Sequence, residues 1–179
     1  MAQTVTYEGK TYTRVKGRWV DERYMTVSHL QKTLDDILFA QSNTEDLSLT
    51  ELMQEADRFK DAGSFYFAAR YYETVLQTPN AEICRYIYPR LSSCYRAMHQ
   101  PEKAVALYEE ARKQYGEIVM SKALCTSAAA AYCDLKDYET ARRLADKAYA
   151  LSGGNAIGEL AAVYGRIRKE TTGSGAYDG

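Results

Sequence analysis

Small and aromatic residues recur through the middle of this chain at one fixed spacing. The first run is Ala56, Phe59, Ala68, Tyr72 and Val75, the second Ser92, Tyr95, Ala104, Tyr108 and Ala111, the third Ala129, Tyr132, Ala141, Ala145 and Ala148. Steps of 3, 9, 4 and 3 residues hold in all three, and the runs begin 36 and then 37 residues apart. Steps of 3 and 4 keep side chains on one face of an α-helix. Nine residues cover one loop and two partial turns. Small side chains let two antiparallel helices approach at their crossing, and rings fill the wider gaps. The spacing therefore predicts three stacked helical hairpins over residues 48–153, with the period of a helical-hairpin solenoid.

The flanks follow other patterns. From Val5 to Val20, alternating residues such as Tyr7, Tyr12, Arg14 and Trp19 are interrupted by Glu8-Gly9-Lys10 and Lys16-Gly17. That is the signature of short strands joined by tight turns, so residues 1–25 are predicted to form a small β-meander. In residues 26–47, Val27, Leu30, Leu34, Ile37 and Leu38 make a helical apolar stripe, with Ser28 and Gln31 expected as its capping box. Ser48 with Glu51 reads as a second box, Asp137 as a cap, and Pro101 as a first helical residue. Gly116 and Gly153 read as stops. Asn80 either caps one long helix through Met98, or Pro89 marks that helix's true first turn. Residues 154–170, with Leu160, Ala161 and Tyr164, are expected to form a terminal capping helix. The Gly-rich residues 171–179 are expected to be a disordered tail.

The stretch Leu135-Lys136-Asp137-Tyr138-Glu139-Thr140-Ala141, together with the three agreeing runs, resembles the tetratricopeptide repeat (TPR) family over about residues 49–153. The resemblance implies an all-α, right-handed superhelix of three helical-hairpin repeats with capping helices, here preceded by the β-meander. It also implies a concave groove lined by the first helix of each repeat. Stepping around those helices away from the packing positions selects Met53, Asp57, Lys60 and Asp61, then Tyr86, Arg90, Ser93 and Arg96, then Ala123, Thr126, Ala130 and Asp134. Tyr86, Arg90 and Arg96 on the central repeat are the expected anchors for a partner segment. Family members that grip acidic C-terminal tails of chaperones use lysine, asparagine and arginine at positions that match Met53, Asp57, Arg90, Ala123 and Ser127 here. These residues do not form that carboxylate clamp.

Composition narrows the classes of function. The chain has 179 residues, 46% apolar and 26% charged, with a net charge of -1, so nothing pulls it globally toward nucleic acid or membrane. No apolar stretch approaches the ~20 residues of a transmembrane helix, and Met-Ala-Gln-Thr opens without a signal peptide's apolar run, so a cytoplasmic location is expected. Cys84, Cys94, Cys125 and Cys133 lack metal or disulfide spacing and are expected to fill the core as free thiols. His29 and His99 are not spaced as zinc ligands, and no nucleophile sits in a catalytic motif. Paired carboxylates such as Asp35 and Asp36, or Glu109 and Glu110, are expected to face solvent. The expectation is a non-enzymatic adaptor without cofactor or metal, binding a protein or peptide, with self-association as one form of this. The alternative is a nucleic-acid contact on the meander, where Lys10, Arg14, Lys16 and Arg18 interleave with Tyr12 and Trp19.

Overall fold

A computed structural model describes residues 1–173. The chain forms two compact units, residues 1–71 and 72–179, with the boundary inside a helix.

The N-terminal unit opens with strands β1 (Gln3–Tyr7), β2 (Lys10–Val15) and β3 (Arg18–Val20), an antiparallel meander in the order β1-β2-β3. Its two turns place Glu8 and Gly9 at φ 47° and 75°, and Lys16 and Gly17 at φ 48° and 80°. Two consecutive left-handed residues make the hairpin turn whose twist matches the strands, which is why both sites carry glycine second. Val5 pairs opposite Tyr12, and these two with Trp19 and Leu34 form a small buried core. Leu34 lies on α1 (Gln31–Gln41).

The expected capping box at the start of α1 does not form. Ser28–Leu30 is a 3-10 turn without a side-chain cap. Gln31 is drawn to the sheet edge instead: its Oε1 accepts from the Trp19 amide at 2.9 Å, and its Nε2 donates to the Trp19 and Val27 carbonyls at 2.9 and 3.1 Å. The outer edge of β3, which pairs with the following chain only through the Val20–Thr26 bridge and the Val27 amide on the Trp19 carbonyl, still offers both the donor and the acceptor a side-chain amide requires. Helix α2 (Leu49–Asp61) follows behind its capping box of Ser48 and Glu51, and α3 (Phe65–Leu76) crosses into the second unit.

The C-terminal unit continues with α4 (Ala81–Ala97), α5 (Pro101–Tyr115), α6 (Lys122–Asp134), α7 (Tyr138–Leu151) and α8 (Glu159–Gly173). The Asn80 side chain caps α4 by accepting from the Ile83 amide, so Pro89 lies within one long helix and does not begin it. Asp137 caps α7 and Pro101 opens α5. All the repeat positions are buried except Phe59 and Tyr132, which are half-buried.

Helix α6 is the most enclosed element. Every residue from Leu124 to Ala131 is buried, because α4, α5, α7 and α8 all pack against it. Alanine, serine and cysteine dominate there because neighbours on all sides leave no room for long side chains. The four cysteines are buried and form no disulfide, as expected of core-filling thiols. Leu160, Val163 and Ile167 bury one face of α8, which packs on α6 and α7. This helix extends through Gly173, so residues 171–173, expected in the tail, are helical; residues 174–179 lie outside the described part of the chain.

Candidate interaction surfaces

On α4, Tyr86 and Arg90 stand one turn apart and stack, the guanidinium carbon 3.5 Å from the ring centroid. Arg90 Nη1 also donates to the Tyr86 carbonyl at 3.0 Å. Both side chains are half-buried, as is Ser93 on the next turn. The helix backbone thus fixes a ring and a cation as one rigid pair.

Arg96, the third expected anchor, is engaged elsewhere. Its Nε donates to Asp134 Oδ2 on α6 at 3.0 Å and its Nη1 to Glu159 Oε1 on α8 at 2.6 Å. Arg166 Nη2 reaches the other oxygen of Asp134 at 2.9 Å. These four residues stitch α8 across α4 and α6. Arg96 and Asp134 therefore serve the fold, and Thr126 and Ala130, expected along the groove, are buried. Ala123 is exposed. Met53, Asp57 and Lys60 are half-buried on α2 in the N-terminal unit.

The meander loses the pieces a nucleic-acid surface would need. Trp19 is 0% exposed, and its Nε1 donates to Asp35 Oδ1 at 2.7 Å. Tyr12 is buried with it. Arg14 lies 4.7 Å over the Phe67 ring and 3.8 Å from Asp35. Both rings expected to stack on a base are therefore packed inward. Lys10, Lys16 and Arg18 are exposed and leave only scattered charge.

Asp35 and Asp36 are not the solvated pair expected. Burial pushes the Asp35 carboxyl up, against the opposing pull of Trp19 and Arg14. Burial acts the same way on Asp36, but Lys32, the Tyr66 hydroxyl and Arg70 outweigh it and hold this carboxyl below its ordinary value. Tyr66 donates directly to Asp36.

One repeated contact escaped the sequence reading. Tyr95 donates to Glu73 at 2.7 Å, Tyr132 to Glu109 at 3.2 Å and Tyr164 to Asp146 at 2.6 Å. The acceptors lie 36 and 37 residues apart, each directly after a packing position (Tyr72, Tyr108, Ala145), so their register was a usable signal. Burial first, and then the acceptor's charge and hydrogen bond, push Tyr132 and Tyr164 up to about 12, and Tyr95 is raised for the same reasons. These phenols stay protonated as donors. Tyr95, Tyr132 and Tyr164 are thus cross-braces between successive helices.

The solved structures similar to this chain agree with that architecture. The TPR domain of Sgt2 from Aspergillus fumigatus matches with a TM-score of 0.62 and 16% identity, over 71% of this chain and 81% of that one. The C-terminal TPR-containing domain of a Plasmodium falciparum protein described as FK506-binding matches with a TM-score of 0.55 and 15% identity, over 74% and 98%. No family model and no curated protein matches the chain. The fold is all-α and TPR-like, with a small β-meander at its N-terminus. Among the described residues, no helix is long and apolar enough to cross a membrane.

Proposed function

We propose that this chain is a non-enzymatic scaffold that binds an extended segment of a protein partner along the exposed side of α4, anchored on Tyr86 and Arg90. The observation that carries this reading is the Tyr86–Arg90 stack at 3.5 Å. A ring and a guanidinium already held together lose little conformational freedom on binding, and tyrosine and arginine are, with tryptophan, the residues enriched among energetic anchors of interfaces. Ser93 adds a hydroxyl on the next turn. Arg96 leaves the anchor set, since Asp134 and Glu159 hold it. The TPR-like fold supports the assignment by class. Four buried cysteines outside any disulfide suit a reducing compartment, and we assign the protein to the cytoplasm.

A photo-crosslinking residue at Ser93, compared with one at Thr11 on the meander, tests the surface in the source cell. The partner should be captured from Ser93, and Tyr86→Ala with Arg90→Glu should remove that product while helicity is kept. A product of twice the chain's mass would identify the partner as a second copy. Capture from Thr11 alone, or a Ser93 product that survives the double change, would overturn the assignment.

A further inference from the structure

The N-terminal unit contains a pocket of about 310 Å³ between the meander, the end of α1 and the α2–α3 hairpin. Its walls are aromatic. Phe59 stacks on Phe67 and on Tyr71 with centroids 5.4 and 5.5 Å apart, and Phe39 meets Tyr71 edge-on at 5.3 Å. Gln3, Gln41 and Ser42 form a polar rim. One cation enters the lining, Arg14, and no carboxylate does.

The strand register explains why an arginine is there. Arg14 is two residues from buried Tyr12 on β2, so the pleat turns it to the same inward face. There it stacks on Phe67, with its hydrogen-bonding capacity largely unused. A guanidinium has five N–H donors. The single hydrogen bond of Arg14 is a long one, from Nη1 to Gln3 Oε1 at 3.3 Å, and Nε has no acceptor. The nearest carboxylate oxygen, Asp35 Oδ1 at 3.8 Å, is beyond hydrogen-bond reach and already accepts from Trp19. A guanidinium held among rings, short of acceptors, is best completed by a planar anion.

We propose that this pocket binds a small-molecule carboxylate with a flat apolar body, the body between the rings and the carboxylate on Arg14. The volume lies at the small end of ligand pockets, roughly 300–1,000 Å³, which limits the body to about one ring. The single cation in the lining disfavours an amine, although an aromatic enclosure without it would welcome one. The site belongs to the N-terminal unit and uses no residue of the α4 surface.

Titration of the full-length protein with phenylacetate, followed by the ring signals of Phe39, Phe59, Phe67 and Tyr71 in NMR, tests the proposal. Saturable shifts with a Kd on the order of 0.1–1 mM are expected for a ligand of this size. Phenylacetamide, which keeps the body and loses the charge, should bind at least ~10-fold more weakly, and phenethylamine should not bind. Arg14→Gln should cost the same ~10-fold or more. Because Arg14 also packs on Phe67, Gln41→Trp provides the second variant: it sits on the exposed rim, and should close the mouth and abolish the shifts with melting unchanged. Equal affinity for acid and amide overturns the proposal, as does binding that survives Gln41→Trp. So does the absence of shifts with phenylacetate up to about 10 mM, including the case where only a peptide ending in phenylalanine binds and the pocket proves to anchor a partner.

Discussion

The two units of this chain solve the same packing problem with opposite materials. In residues 1–71 the space between elements is filled by large rings, Trp19, Phe39, Phe59, Phe67 and Tyr71, with Arg14, Arg58 and Arg70 laid over ring faces at 4.7, 4.7 and 4.6 Å. From residue 72 onward six of the twelve repeat positions are alanine, and α6, enclosed by four helices, carries only Leu124 and Tyr132 as large apolar side chains. Helices repeating a single crossing geometry can share one small-residue rule, and the second unit does this repeat after repeat. A sheet meeting helices has no repeating geometry, so the first unit fills irregular space with rings and the amphipathic stems of arginines. The teaching is about tolerance: the first unit should fail when side chains are removed, the second when they are enlarged.

The largest test of that contrast removes a ring. Trp19→Ala takes away a fully buried side chain and leaves Asp35 without its indole donor, so a loss of ~3–5 kcal/mol is expected in denaturant unfolding. A loss below ~1 kcal/mol would mean that the meander's core carries little of the first unit's stability. The converse test adds bulk to the second unit: Ala141→Leu, at a position with 0% exposure, should cost ~1–3 kcal/mol because the helix crossing cannot house the added methylenes. If the Leu variant melts unchanged, the close-crossing account of the alanines fails.

Alkaline pH probes the tyrosine braces. A phenol with a folded-state value raised above its ordinary 10.0 stabilises the fold fully below that value. The contribution is lost as pH rises from there through about 12, where Tyr132 and Tyr164 ionise in the folded chain. Unfolding at pH 9 and 11 should therefore show lower stability at 11, and Tyr132→Phe should flatten the slope. Tyr66 in the first unit is raised by burial and by Asp36, so Tyr66→Phe should flatten it too. A slope that neither change touches would mean the phenols are not braces in either unit. The smallest effect belongs to the stitching of α8: Glu159→Gln should cost no more than ~1 kcal/mol, since Glu159 is 54% exposed and water screens its bond to Arg96. A much larger loss in melting would mark the ion pairs, rather than Leu160, Val163 and Ile167, as what seats the helix.

The local features were legible in the chain. Gly9 and Gly17 announced both turns of the meander, Ser48, Asp137 and Pro101 marked helix starts, and the 36- and 37-residue offsets set the repeat register. Each needs only residues within a turn or two of each other, so spacing suffices. One local feature was half hidden: Gly63, His99 and Lys136 occupy the same left-handed turn, φ 75°, 59° and 63°, with the same offsets, but only the first is a glycine. The backbone bonds that close these helix ends, from the Gln100 amide to the Tyr95 carbonyl and from the Asp137 amide to the Tyr132 carbonyl, hold the other two in a conformation their side chains do not advertise, as Ser64 to Phe59 does at the glycine.

The candidate surfaces depended on contacts that spacing cannot express. Whether Trp19 offers a ring to a ligand or buries it was decided by Asp35, 16 residues away, and whether Arg96 is available was decided by Asp134 and Glu159, 38 and 63 residues away. Amphipathic side chains such as Trp, Tyr and Arg suit a core and a surface equally well, so their own identity does not settle which they join. Alternation and period determine which backbone elements form, because those signals are local. The tertiary fold decides which charged and aromatic groups meet, because pairing follows the distance between side chains in space and not their distance along the chain.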